Sequence, residues 1–247
     1  MKKRRWFSLF LSFALLLPLF SLTSADAYED FTLDAKAGLL IEADTGEILY
    51  EKNAHQENFP ASLTKVMVAL LVFEAIDEGK IALTDSVTAT ESAFEGLSSD
   101  GSTANIVPGE TMTVEQLLNC MLIVSANEAC NILGETLYGS VDAFVARMNA
   151  TGLHNSQHYT TAWDLYLITR EALKHDKFME ICNSKSYTVP ATNMTDKPRE
   201  LHSTNFLISN WRARGYVYRD AQGIKTGSTP EAGYCLISSA LRGSRHM

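Results

Sequence analysis

Between residues 37 and 52, apolar and polar positions alternate on both sides of Asp44-Thr45-Gly46. Leu39 and Ile41 precede the turn, and Ile48 and Tyr50 follow it. A period of two around an Asp/Gly-containing turn predicts a β-hairpin. Pro60 ends this extended stretch. From residue 62 to 78 the apolar positions Val66, Leu70, Phe73 and Ile76 recur at helical spacing until Gly79, which predicts a core helix beginning at or next to Ser62. A polar, Gly/Ser-rich run over 95–109 reads as a loop. Thr113 and Gln116 make a capping box ahead of a helix over 114–124. Further helical patterns cover 128–138, 140–149 and 161–175, the last with Thr161 and Asp164 as a second capping pair. Strand character returns over 187–190, 223–226 and 234–240, where the Tyr-Cys-Leu-Ile run suits a strand buried on at least one face. Strands at both ends of the chain and a helical middle over about 85–185 predict an α+β fold, its antiparallel sheet pairing distant parts of the sequence.

The first segment does not belong to that pattern. Lys2, Lys3, Arg4 and Arg5 precede an apolar run over 6–22, followed by Ala25-Asp26-Ala27, a small-x-small site. This is the layout of a cleaved export signal over residues 1–27; Pro18 and the short run argue against a spanning anchor. Cleavage after Ala27 leaves 220 of the 247 residues as one domain, 28–247. Removing four of the 21 basic residues and Asp26 from the 29 acidic ones shifts the net charge from −8 to −11. Such a balance excludes a protein built to coat nucleic acid, which needs clustered positive charge. The 46% hydrophobic and 20% charged content excludes a disordered chain. Four cysteines without C-x-x-C spacing give neither a disulfide scaffold nor a zinc cluster. They read as buried thiols, with a Cys120–Cys130 bridge as the alternative that an oxidising exterior permits.

Three short motifs carry candidate chemistry. Ser62-Leu63-Thr64-Lys65 sets a hydroxyl and an amine three residues apart at a helix start, so both project from one face. Lysine can act as the base for a serine nucleophile if burial and a neighbouring cation lower its pKa, and a helix N-terminus favours an oxyanion nearby. The same tetrad also suits a capping serine followed by a solvated lysine. Ser125-Ala126-Asn127 lies between two predicted helices, where a second hydroxyl and an amide can reach a cleft. Lys225-Thr226-Gly227-Ser228-Thr229 lies on a late strand, with a glycine that permits close approach and side chains suited to a carboxylate.

In this order, Ser-x-x-Lys, Ser-x-Asn and Lys-Thr-Gly form the motif set of penicillin-binding proteins and class A β-lactamases. With Pro60-Ala61, Pro108-Gly109-Glu110, Thr113-Val114-Glu115, Glu128-Ala129, His158-Tyr159-Thr160-Thr161 and Ala232-Gly233-Tyr234, the chain resembles the low-molecular-weight penicillin-binding proteins. Its nearest branch is the S11 peptidases, serine D-alanyl-D-alanine carboxypeptidases. The resemblance extends over nearly all of the chain after the signal. It implies a β-lactamase/transpeptidase-like fold and an acyl-enzyme on Ser62 formed from peptidoglycan stem peptides, with β-lactam antibiotics as inhibitors. Lys65 would be the general base, and Ser125, helped by Asn127, would relay a proton to the leaving group. Lys225, Thr226, Gly227 and Ser228 would bind the substrate, the N–H groups of Ser62 and Ser228 forming the oxyanion hole. No metal or other cofactor is implied. A serine β-lactamase and a non-catalytic penicillin-binding fragment are the alternatives.

Two departures from the family pattern stand out. The connection between Met148-Asn149 and Thr151-Gly152-Leu153 is shorter than usual. After a hairpin turn at Leu241-Arg242-Gly243-Ser244, residues 245–247 begin a returning strand, so the domain reads as truncated at its C-terminus, without the closing strand and helix, a second domain or a membrane anchor. Other residues read as structural. His154 and His158 have the spacing of a metal pair but no third ligand. Trp211-Arg212-Ala213-Arg214 reads as a solvated loop near the cleft, and Met148 and Met179 as core fillers.

Overall fold

The computed structural model describes residues 32–145 and 157–247. The chain falls into two units, Met1–Asp34 and Ala35–Met247, and the elements below all belong to the second. The export signal, His154, Met148, the 149–152 connection and the last part of the predicted 140–149 helix lie outside the described residues.

The predicted hairpin is present as β1 (Gly38–Ile41) and β2 (Ile48–Lys52), antiparallel with a bulge at Leu40/Ile41. A 3₁₀ turn over Ala61–Thr64 leads into α1 (Lys65–Asp77). Ser62 therefore sits one turn ahead of the α-helix, on a 3₁₀ segment that starts after Pro60, and its side chain caps nothing. The predicted stripe understates how deeply α1 lies. Val66, Val68, Ala69, Leu70, Val72, Phe73 and Ala75 are all buried, a broad apolar face, while Met67, Leu71 and Glu74 mark the one side that is partly covered or exposed. Each such Val, Leu or Phe contributes about 1.5–3 kcal/mol through burial.

Next along the chain come β3 (Ser86–Thr88), β4 (Thr111–Thr113), α2 (Val114–Ile123), α3 (Asn127–Tyr138) and α4 (Val141–Val145). The capping box at the start of α2 is complete: Thr113 Oγ1 accepts from Gln116 N–H, and Gln116 Oε1 accepts from Thr113 N–H. At α5 (Ala162–Ala172) only half of the second capping pair forms, Thr161 Oγ1 accepting from Asp164 N–H at 3.0 Å. Aspartate is one methylene short of the usual Glu/Gln partner. A short α6 (Asp176–Cys182) follows, then β5 (Ser186–Val189) and β6 (Arg199–His202), paired antiparallel. β3, β4, β6 and α6 are too short to show a period in the sequence.

The C-terminal sheet is β7 (Ala221–Thr229), β8 (Gly233–Arg242) and β9 (Arg245–His246), all antiparallel. The Gly243-Ser244 turn joins β8 to β9. Among the described residues the strands pair in four separate antiparallel sheets, β1-β2, β3-β4, β5-β6 and β7-β8-β9, rather than in one sheet built from both chain ends; the two ends touch in the turn after β1, where Ala43 N–H donates to His246 O. Along β8, Cys235, Ile237 and Ser239 face inward, while Tyr234 is 97% exposed and Leu236 51% exposed, so one face of that strand is open. The core is continuous from α1 through α2 and α3 to Phe178, Ile181, Val189, Leu201 and Ile224. Met179 packs at its edge, as a core filler should. The four cysteines are free thiols, so the Cys120–Cys130 bridge does not form; Cys120, Cys130 and Cys182 are buried as expected, but Cys235, on a strand with one open face, is half-buried. Among the described residues no helix is long and apolar enough to cross a membrane.

Candidate active site

Lys65 is the first residue of α1, and its side chain is fully buried. Its Nζ lies 3.0 Å from Ser62 Oγ and 2.8 Å from Asn127 Oδ1. The i, i+3 spacing across the 3₁₀-to-α junction aligns the serine with the amine. Asn127 comes from the first turn of α3, 62 residues further along the chain. Burial disfavours the ammonium form and lowers the Lys65 pKa to about 8; Cys130 and Glu128 draw it part of the way back up.

Ser125 lies in the turn between α2 and α3. Its φ of +65° is rare for a residue with a Cβ, and its buried Oγ has no hydrogen-bond partner. A strained, unpaired hydroxyl held by Ala126 N–H donating to Cys120 O at 3.1 Å and Asn127 N–H donating to Ser102 O at 2.9 Å is a group set aside for something other than stability.

β7 forms the opposite wall. Lys225 and Gly227 point inward, while Thr226 and Ser228 lie on the more open face, as strand alternation requires. Lys225 is buried and donates from Nζ to Thr226 O at 2.7 Å. Burial, followed by the charge of Lys65, holds its pKa well below the ordinary lysine range. The Lys225 side chain therefore lies beneath the strand, while Thr226, half-buried, and Ser228, exposed, lie on its other face. A Cβ on Gly227 would stand 3.0 Å from Ser62 N, 3.2 Å from Ala61 Cβ and 3.2 Å from Leu63 N. The glycine thus serves the approach of β7 to the backbone of Ser62.

The structure also gives contacts to residues outside the three motifs, Glu128 named only within the resemblance, His158 there and in a metal-like pair, and Gly101 and Thr204 not at all. Glu128, next to Asn127, is buried and accepts from Thr103 Oγ1 and Ala104 N–H, both at 2.7 Å. This ties the 98–106 loop over the start of α3. Within that loop, a Cβ on Gly101 would stand 2.8 Å from Asn127 Nδ2. The sequence signal is an acidic residue in the first turn of a predicted helix, where free N–H groups collect. His158 Nε2 lies 3.2 Å from Thr64 Oγ1, whose own hydroxyl proton goes to Ala61 O. Nε2 is therefore the donor, and the pairing braces the turn that holds Ser62. Burial lowers the His158 pKa, consistent with a neutral ring. Thr204 Oγ1 and Thr226 Oγ1 share a 2.6 Å hydrogen bond, joining the segment after β6 to β7. Among the described residues no cluster of His, Cys, Asp and Glu is arranged to hold a metal.

A serine in contact with a buried amine of lowered pKa, an asparagine on that amine and a strand passing close to the serine backbone are parts that acyl transfer can use. Comparison with known proteins gives the same direction. The S11 peptidase family model, described as D-alanyl-D-alanine carboxypeptidase, matches residues 23–247. D-alanyl-D-alanine carboxypeptidase DacF of Bacillus subtilis is 37% identical over 226 residues, covering 85% of this chain and 55% of DacF. DacC of Escherichia coli is 31% identical over 236 residues, covering 87% of this chain and 56% of its own length. The chain therefore spans little more than half the length of these relatives. Against the D-alanyl-D-alanine carboxypeptidase of Streptomyces sp. strain K15 it is 30% identical and spans 82% of the relative. The crystal structure of the Streptomyces K15 DD-transpeptidase superposes with a TM-score of 0.76 at 29% identity, over 87% of this chain and 88% of that one. With the family model matched over residues 23–247 of this chain, the chain belongs to the S11 family of D-alanyl-D-alanine carboxypeptidases.

Proposed function

We propose that this protein is an exported serine D-alanyl-D-alanine carboxypeptidase, removing the terminal D-alanine from peptidoglycan stem peptides through an acyl-enzyme on Ser62. The observation that carries the reading is the Lys65 amine, buried, with a pKa near 8, and in contact with both Ser62 Oγ and Asn127 Oδ1.

In this mechanism neutral Lys65 accepts the Ser62 hydroxyl proton as Oγ attacks the carbonyl carbon of the penultimate D-alanine. The developing oxyanion sits against the N–H groups of Ser62 and Ser228, which the close approach of Gly227 brings to one side of the cleft. The C–N bond then breaks. The departing amine takes a proton through Ser125 Oγ, whose unpaired state leaves it free to donate. Water hydrolyses the ester, with Lys65 again accepting a proton, and restores Ser62. Thr226 and Ser228 hold the substrate's terminal carboxylate, with the charge of Lys225 beneath. A substrate carboxylate at that position stabilises the Lys225 ammonium, which in turn favours neutral Lys65.

Export through a signal peptide over 1–27 and a domain over 28–247 complete the reading, and place the substrate outside the cytoplasm. β-Lactams present a strained amide to the same serine and acylate it. Labelling by a fluorescent penicillin, lost in Ser62→Ala, tests the acylation step. The lifetime of the label then separates a carboxypeptidase, with slow release, from a β-lactamase, with rapid turnover; an unlabelled but folded protein is the non-catalytic fragment.

A further inference from the structure

The segment joining β6 to β7 has a composition unlike the rest of the molecule. Residues 206–219 contain three arginines and four aromatic residues with no aspartate or glutamate, in a chain of net charge −8. From Trp211 to Arg219 every residue but Ala213 is exposed. The aromatic rings are presented on an ordered frame. The Trp211 ring is stacked on His202 with centroids 3.7 Å apart and planes 16° from parallel, yet remains 62% exposed, so its other face is open. Tyr216, 64% exposed, leans on Phe206. Tyr218 N–H donates to Leu207 O, and Trp211 N–H to Ser209 Oγ. Arg219 pairs with Asp220, but among the described residues neither Arg212 nor Arg214 has an acidic partner. A monomer rarely shows several large aromatics and unpaired arginines together without a binding role.

Position narrows the partner. The segment begins beside Thr204, which is bonded to Thr226, and ends where β7 starts. The patch therefore continues outward from the wall that carries Lys225–Ser228. We propose that Trp211, Arg212, Arg214, Tyr216 and Tyr218 form a docking surface for the carboxylate-bearing glycan-peptide polymer to which the cleaved peptide is attached. Open aromatic faces suit the apolar faces of sugar rings, and the arginine forks suit carboxylates. The proposal deepens the carboxypeptidase reading and rests on it for the identity of the polymer. An anionic membrane surface is the rival occupant, but its signature is a larger block of Lys/Arg than the three arginines here.

The test is cosedimentation of the full chain with isolated insoluble peptidoglycan, with Ser62 replaced by alanine so that turnover plays no part. Excess soluble D-alanyl-D-alanine peptide keeps the cleft occupied. The triple variant Trp211→Ala, Arg212→Gln, Arg214→Gln is compared with its parent, and thermal unfolding reports whether it is folded. If the triple variant does not fold, Arg212→Gln and Arg214→Gln are measured singly. Loss of about tenfold or more in apparent affinity, with the parent's binding weakening steeply as salt rises, is the expected result. Equal sedimentation of variant and parent overturns the proposal. So does sedimentation with phosphatidylglycerol vesicles but not with peptidoglycan. A failure of the carboxypeptidase reading shows up elsewhere, as absent D-alanine release, and leaves this binding result to be read by itself.

Discussion

Lys65 is an amine taken wholly out of water and kept within reach of a serine hydroxyl. Its lowered pKa dictates the pH response. The base must be neutral to accept a proton, so acylation of Ser62 by a β-lactam rises with pH through a midpoint of about 8 in the free protein, measurable by stopped-flow quenching. Lys65→Arg, which cannot lose its proton, lowers acylation by about 10²–10⁴-fold. At Gly227 a methyl group would meet Ser62 N at 3.0 Å. Gly227→Ala should therefore lower the acylation rate by about a hundredfold while leaving the circular dichroism spectrum unchanged, because small displacements at reacting groups are costly. At this scale the sequence was unusually legible. Ser62 with Lys65, and Lys225 with Gly227, are fixed by local spacing on one helix start and one strand. Asn127 meeting Lys65 depends on a contact across 62 residues, and only the order of the motifs hinted at it. Glu128 was named only within the resemblance, and Gly101 and Thr204 in no motif, since their roles arise from the folding of a loop onto α3 and of the segment after β6 onto β7.

The 105–113 segment and β6 are joined by a buried ion pair, and here the element scale has its own prediction. Glu110 is buried and accepts from Arg199 Nη2 at 2.5 Å and from Thr192 Oγ1 at 2.7 Å. Burial pushes its pKa up, but the bonds from Arg199, Thr192 and Val107 N–H outweigh it, and the net direction is down. A carboxyl with a lowered folded pKa stabilises the fold above its unfolded pKa, and this is lost as pH falls through the folded value. Arg199→Met leaves the carboxylate buried and unpaired, and should cost about 3–5 kcal/mol in urea unfolding at neutral pH. The difference from the parent protein should shrink in acid, where Glu110 is protonated. The sequence named Pro108-Gly109-Glu110 only as part of a resemblance. It showed neither this pairing nor the three-residue strands β3 and β4, which are too short to express a period. Longer elements were legible because several turns of apolar spacing repeat in α1, α2 and α3, although the buried face of α1 proved broader than its stripe.

For the molecule as a whole, the sequence conveyed antiparallel strands at both chain ends with helices between them, but not that they pair in separate sheets or where the two ends touch. That junction, Ala43 with His246, is a backbone contact that no side-chain pattern encodes. The cysteines give a global check on packing. Burial raises the pKa of Cys120 and Cys130 to about 12 each, and that of Cys182 and Cys235 upward as well, so the folded protein should react slowly with a thiol reagent at neutral pH. Four thiols should appear after denaturation without reductant, and reductant should leave the thermal midpoint unmoved; fewer than four would mean a bridge. On the proposed reading, the basic aromatic segment after β6 extends the wall formed by β7, and the buried lysine pair lies at the serine that it adjoins. The most direct measurement is release of D-alanine from a pentapeptide ending in D-alanyl-D-alanine, by the folded chain and by Ser62→Ala. The account predicts release that increases through pH 8 and disappears in the variant. A folded protein that releases none, or a variant that releases as much as its parent, would contradict it.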